Sequence, residues 1–157
     1  DYTYLWWDIR PHPRLGTVEV RAMDAQSRLG SVAGLAALVH ALAAACADGH
    51  GSVEPAEALT ESSFRASRDG LAATIWWRGT MRPMREVADE ALALARLYAG
   101  DALDEVVRVL RDGNGADRMR HAHAVGGLPA VLERLVREAA EPLYGYTRTT
   151  VPMRTQL

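Results

Sequence analysis

The 157-residue chain contains no lysine, and all 18 of its basic residues are arginine. No side-chain amine is present to form a Schiff base or to act as the cation of a phosphate-binding loop. Codon bias in a GC-rich genome explains such a composition as readily as function does. Cysteine is scarce too. The single Cys46 excludes an internal disulfide, and its alanine-rich surroundings point to apolar packing. That usage fits a cytoplasmic location. The net charge of −2 provides no broad field for nucleic acid or an anionic membrane, so neither is expected as a partner. No signal peptide is visible. The apolar run Val32–Ala47 is interrupted by His40 and is expected to fall short of a membrane span. The histidines show no metal-ligand spacing. His121 and His123 lie two apart, on different faces of a helix, and His12, His40 and His50 stand alone.

What is present is enough apolar residue, 48% of the chain, for a single domain over 1–157 with a core. Residues 2–10 alternate aromatic, branched and polar types and read as a strand, broken by Pro11 and Pro13. Gly16 allows a turn, and residues 17–23 read as the return strand. Leu29, Val32, Leu35, Val39, Leu42 and Cys46 recur at helical steps, ended by Asp48-Gly49-His50-Gly51. A second helix is predicted from Pro55 to about Thr74, with Ile75–Arg82 either a short strand or the end of that helix. A third starts at Pro83 and runs to Ala99. A fourth carries Leu103, Val106, Val107 and Leu110, and a fifth begins near Ala116 or Asp117. Gly126-Gly127 breaks the fifth, and a sixth covers about Pro129 to Ala140. No pattern places the residues from Pro142 onward. The fold class is α+β, an N-terminal antiparallel β-hairpin followed by about six helices. Two strands are too few for an independent sheet. With Asp1 only a few residues before the first strand, the chain is expected to be part of a longer fold.

The stretch Trp6–Asp24, WWDIRPHPRLGTVEVRAMD, places charges on this apolar hairpin. Residues two apart share a strand face, so Thr17, Glu19, Arg21 and Met23 point one way and Val18, Val20 and Ala22 the other. Asp8 and Arg10 share a face of the preceding strand. Carboxylates and guanidiniums in alternation need a cation, an anion or each other. A phosphoryl-transfer site uses a carboxylate to hold magnesium and an arginine fork to hold the phosphate, and Glu19 and Arg21 have that chemistry. A cross-strand salt-bridge patch with Asp8 and Arg10 is the other reading. Two further segments are candidates. Glu61–Leu71, ESSFRASRDGL, puts Arg65 and Arg68 on one helix face, as an anion clamp or as a solvated face. Gly113–Arg118, GNGADR, is a glycine turn opening a helix, as an anion site or as a helix–helix turn with Asp117 at the dipole.

Together and in this order, these segments resemble the carboxylate–amine ligases of the glutamate–cysteine ligase type 2 family, over about residues 2–138. WWDIRPHPRLGTVEVRAMD is similar to the signature near the start of that family's C-terminal half. ESSFRASRDGL is similar to its E-N-x-W-R-A-x-R-x-G-L segment, and GNGADRMR to its G-x-G-A-D-R-Q segment. The resemblance implies a glutamine-synthetase-like funnel fold holding ATP, Mg2+ and the amino acids. It implies ATP-dependent phosphorylation of a glutamate or similar carboxylate, then attack by an amino compound on the acyl phosphate. By similarity Glu19 is a metal ligand and Arg21 the catalytic holder of the transferred phosphate. Arg10, Arg65 and Arg68 are substrate or phosphate contacts, and Asp8 is a further signature match.

The departures are also informative. The family's N-terminal strand with paired glutamates has no counterpart here, so this chain is expected to carry only part of the active site. Ser62 and Phe64 replace Asn and Trp of the second segment, and Met119 replaces Gln of the third. A homodimer, or pairing with a missing N-terminal half, is expected. The alternative reading is a non-catalytic helical scaffold or dimerisation module derived from that family.

Overall fold

The computed structural model describes Tyr4 and residues 7–141. Residues 2, 3, 5 and 6 of the expected first strand, and the tail from Pro142, lie outside the described residues. The order is β1 (Ile9–His12), β2 (Thr17–Val20), α1 (Leu29–Ala45), α2 (Ala56–Asp69), β3 (Thr74–Trp77), β4 (Thr80–Pro83), α3 (Met84–Ala99), α4 (Asp104–Asp112) and α5 (Gly115–Ala139). The α+β class with a leading antiparallel hairpin holds. Among the described residues there are five α-helices rather than about six, and four strands in two separate two-stranded sheets.

Strand β1 passes through Pro11 instead of ending before it, and the register explains why. Arg10 pairs with Glu19 and Pro11 with Val18, while the Arg21 amide donates to the Asp8 carbonyl at 2.7 Å. Pairs alternate between bonded and non-bonded along an antiparallel ladder. Counting from the bonded pair Asp8–Arg21, Arg10–Glu19 is bonded and Pro11–Val18 is not. The proline's missing N–H is therefore not needed by β2.

The second hairpin resolves the ambiguous segment 75–82. Helix α2 stops at Asp69, short of the expected Thr74, because Gly70 takes φ 57° and ψ −130°, which an L side chain rarely adopts. The chain then pairs Trp77 with Thr80 and Trp76 with Met81 across Arg78-Gly79. Both loop residues have positive φ, 47° and 83°, the geometry of a tight two-residue hairpin. Arginine in place of the usual Asn or Asp hides this turn in the sequence.

The core lies between α1, α3 and α4. Ala41, Leu92, Ala95 and Leu103 are buried there, with Leu38, Tyr98, Val106 and Leu110 packed around them. Small residues let α1 approach closely. A Cβ on Gly34 would sit 2.9 Å from Cβ of Glu105. Helix α1 and the π-type turn that extends it run from Leu29 to His50, with Gly49 (φ 89°) leaving helical geometry near the end. Those 22 residues are long and apolar enough to cross a membrane by length and composition, which corrects the expectation of too short a run. Here its small-residue face packs on α3 and α4.

Helix α5 absorbs the expected fifth and sixth helices into one sharply bent element. Gly126 (φ −148°, ψ 20°) and Gly127 (φ 64°, ψ −158°) leave helical geometry within it. Residues 118 and 138 would be about 30 Å apart along a straight helix, yet their side chains meet at 2.9 Å. The two arms, 115–125 and 128–139, therefore fold back towards each other. The left-handed geometry of Gly127 makes this bend possible. Gly127→Ala should destabilise the protein by about 2 kcal/mol, read as a lower midpoint in a thermal unfolding scan.

Candidate functional site

The face of the first hairpin that carries Arg10 and Glu19 brings three of the expected site residues together. Cross-strand pairing sets Arg10 directly opposite Glu19. Its Nε donates to Glu19 Oε2 at 2.8 Å and its Nη2 lies 2.6 Å from the same oxygen. Arg21 Nε stands 4.0 Å from Oε1. One carboxylate thus lies between two guanidiniums, fixed firmly by the first and loosely by the second. Glu19 is half-exposed and both arginines are partly covered. The opposite face carries Trp7, Ile9 and Val18, all more than half exposed. This hairpin turns its apolar side to solvent and holds its charges with each other.

The charge array could hold a cation or an anion. Oε1 of Glu19 is the freer oxygen and could join the coordination of a hard cation, which takes one or two carboxylates together with phosphate and water oxygens. Among the described residues no group of three or more His, Cys, Asp or Glu side chains could hold a metal ion. Glu19 fits as a single ligand within a larger site. Arg21, close to that oxygen, is placed to contact an anion next to such a cation.

Arg65 and Arg68 lie elsewhere. Arg65 donates to Glu61 on its own helix at 2.7 Å and reaches Thr74 at the start of β3 at 3.4 Å. Arg68 grips Asp69 with two bonds, at 2.8 and 2.7 Å, and stacks over Phe64 at 5.3 Å. Its hydrogen bond holds the Asp69 carboxyl below the usual carboxylate range. The partners of both arginines belong to the second segment and to β3, not to the first hairpin.

The third segment forms a structural joint. Asn114 caps α5, accepting from the Asp117 amide at 3.0 Å while Asp117 accepts from the Asn114 amide at 3.0 Å. A Cβ on Gly70 would stand 3.1 Å from Asn114 Nδ2, so the end of the second segment seats directly on this cap. Arg118 then turns inward. It is buried against Glu138, with bonds of 2.9 and 3.3 Å, and reaches the Gly113 carbonyl at 3.4 Å.

Glu138 is the residue that sequence reading missed. Its side chain is 4% exposed and that of Arg118 is 9%. It also accepts from Arg134 at 2.8 Å and from the Ser27 hydroxyl, while Arg28 pairs with Glu141 at 2.8 Å. Burial pushes the Glu138 carboxyl up, but the bonds from Arg118, Ser27 and Arg134 outweigh it and hold the group at about 2. The pairing with Arg134, four residues earlier, is legible in the sequence. The contact with Arg118 depends on the fold-back at Gly126-Gly127. Other unforeseen partners surround β3 and β4. Glu54 accepts from the Trp76 indole at 2.7 Å, and Glu90 binds Arg78 and Arg82 at 2.8 and 2.6 Å.

The sequence model of glutamate-cysteine ligase family 2 matches residues 1–138. A protein from Rubrobacter xylanophilus named "Putative glutamate--cysteine ligase 2-3" is 41% identical over 150 residues, which are 89% of this chain and 40% of that protein. Relatives with similar names from Frankia casuarinae and Thermobifida fusca are 36% and 35% identical, covering 85% and 90% of this chain and 39% of each relative. The chain spans about two fifths of the length of the curated relatives it matches.

The Glu138 carboxyl has a depressed folded value, so its stabilisation is complete above its ordinary value of 4.5 and is lost as pH falls from there towards about 2. Glu138→Gln should cost about 3 kcal/mol near neutral pH by leaving Arg118 without a counter-charge. The difference from the unsubstituted chain should shrink on acidification, as urea unfolding at pH 7 and pH 3 would show.

Proposed function

The chain belongs to glutamate-cysteine ligase family 2, and on that footing we propose that it carries part of the active site of an ATP-dependent ligase. The reaction joins the carboxylate of glutamate or a similar acid to an amino compound. ATP gives its terminal phosphoryl group to the carboxylate, leaving ADP and an acyl phosphate. The amine nitrogen attacks the acyl carbon, loses a proton, and inorganic phosphate departs as the amide bond forms. The amine and the acid are selected by pocket shape. ATP as a substrate agrees with a cytoplasmic setting.

The observation that carries this reading is the Arg10–Glu19–Arg21 array on the signature hairpin. In it Glu19 would be one ligand of Mg2+, which when bound offsets charge on the nucleotide phosphates. Arg10 keeps the Glu19 carboxylate in one orientation. Arg21, with a planar fork of donors, would hold the phosphoryl group in transfer. Arg65 and Arg68 would contact substrate or phosphate only by exchanging their present carboxylate partners for it. Further strands joining at the open edge of the hairpin would extend it towards a funnel and bring the remaining metal ligands to the Glu19 face, while the exposed apolar face of Trp7, Ile9 and Val18 would take a covering layer.

The pairing of the hairpin charges with one another also favours a second reading, a scaffold or dimerisation module without catalysis. The two differ in one assay. In a complete protein containing these residues, ADP release should depend on glutamate, an amine and Mg2+. Glu19→Ala and Arg21→Ala should each lower it by at least about a hundredfold, on the scale of losing a transition-state charge contact. Undiminished turnover in both variants would discard the site assignment, and absence of turnover with every amine offered would favour the scaffold.

A further inference from the structure

Between α3 and α4 lies an open cavity of about 260 Å³, lined by Arg85, Asp89 and Leu92 on one side and Val107, Leu110 and Arg111 on the other. Its floor is apolar. Leu92 is buried in the core, and Val107 and Leu110 are half-buried beside it. Its rim carries charge. Arg85 and Asp89 are four residues apart on α3, the spacing at which opposite charges on a helix normally pair. Here they do not. Arg85 reaches across the groove instead, and its Nη1 donates to the Leu110 carbonyl. That carbonyl belongs to the last turn of α4, where backbone acceptors lack helical partners and a cation is favoured. The other acidic residues of α3 are taken, Glu86 by Arg82 and Glu90 by Arg78 and Arg82. Among the described residues neither Arg85 nor Asp89 has an ion-pair partner.

From this arrangement we propose that the cavity binds a free α-amino acid with an apolar side chain. The ligand carboxylate meets the remaining donors of Arg85, Nε and Nη2. Arg111 adds its Nη1, because its Nε and Nη2 are bound to Asp112 at 2.6 and 2.9 Å. The ligand ammonium meets Asp89, and its side chain covers Leu92, Val107 and Leu110. Charge selects this class of ligand. A simple carboxylate or phosphate would face the carboxylate of Asp89, and a simple amine would face Arg85. A zwitterion satisfies both. Size selects too, since pockets for drug-sized ligands measure about 300–1,000 Å³ and this one is smaller. Arg85, Asp89 and Arg111 are exposed, so each charged contact is modest. The affinity is on the order of millimolar. The cavity shares no residue with the Arg10–Glu19–Arg21 array, and the inference stands independently of the ligase reading.

The test follows the amide resonances of the isotope-labelled 157-residue chain as L-leucine is added. Saturable shifts are expected along α3 from Arg85 to Leu92 and along α4 from Val107 to Arg111, with a dissociation constant on the order of millimolar. Two relatives of the probe separate its charges. Isocaproate lacks the ammonium and isoamylamine lacks the carboxylate, and each should bind at least about threefold more weakly. Asp89→Asn preserves shape at an exposed position. It should weaken L-leucine by at least about threefold and leave isocaproate no weaker, a contrast that damage to α3 would not produce. Absence of a saturable shift on α3 and α4 overturns the proposal, as does isocaproate or isoamylamine binding as strongly as L-leucine. Shifts confined to the first hairpin overturn it too, because they assign the amino acid to the ligase site.

Discussion

One buried carboxylate governs how the ends of this structure meet. Glu138 gathers Arg134 from its own arm, Arg118 from the arm before the bend, and Ser27 from the segment leading into α1. Ion pairs on a surface contribute little, but a buried pair is costly to break because the surviving charge has no water. Most of the charged contacts in this chain are exposed. Among the described residues the Arg118–Glu138 pair is the buried exception, and it closes the bend in α5. Ser27 and Arg28 lead into α1, so the same cluster ties the last helix to the start of the first. The linker from β2 to α1 is held by polar contacts at its far end.

The two signature segments on helices play a different part from the one on the hairpin. Gly70 and Asn114 touch, and Arg118 is consumed by Glu138, so the second and third segments work largely as a joint between α2 and α5. The first segment sets one carboxylate between two guanidiniums across a strand pair, whereas the exposed Glu61–Arg65 and Arg68–Asp69 pairs of the second lie within a single helix. That division is consistent with a chain that spans about two fifths of its relatives' length.

Helices with clear periodicity were legible in the sequence. The stripe Leu103, Val106, Val107 and Leu110 does face the core, α3 begins one residue after the expected Pro83, and α5 begins within two residues of the expected Ala116 or Asp117. The hairpin charges were legible as a shared face, because strand alternation is independent of what surrounds it. Three features were not. Pro11 is tolerated in β1 only because of a register fixed by the partner strand. Arg78-Gly79 forms a turn that local propensity does not advertise, sustained by Glu90 pairing with Arg78 and Arg82. Glu138 has nothing local to distinguish it from a solvent-facing helical glutamate. Each depends on a contact between residues distant along the chain.

The placement of Pro11 gives the first sheet a direction of growth. Residues in the non-bonded pairs of this hairpin turn their backbone groups outward, away from the partner strand. On the β1 side these are Ile9 and Pro11, and the proline offers no donor. On the β2 side they are Val18 and Val20, each with a free-facing amide. A strand joining beside β1 would lose a rung of its ladder, whereas one joining beside β2 would lose none. An enlarged sheet would therefore have β2 in its interior and β1 at its rim, and Glu19 and Arg21 would be flanked by backbone on both sides.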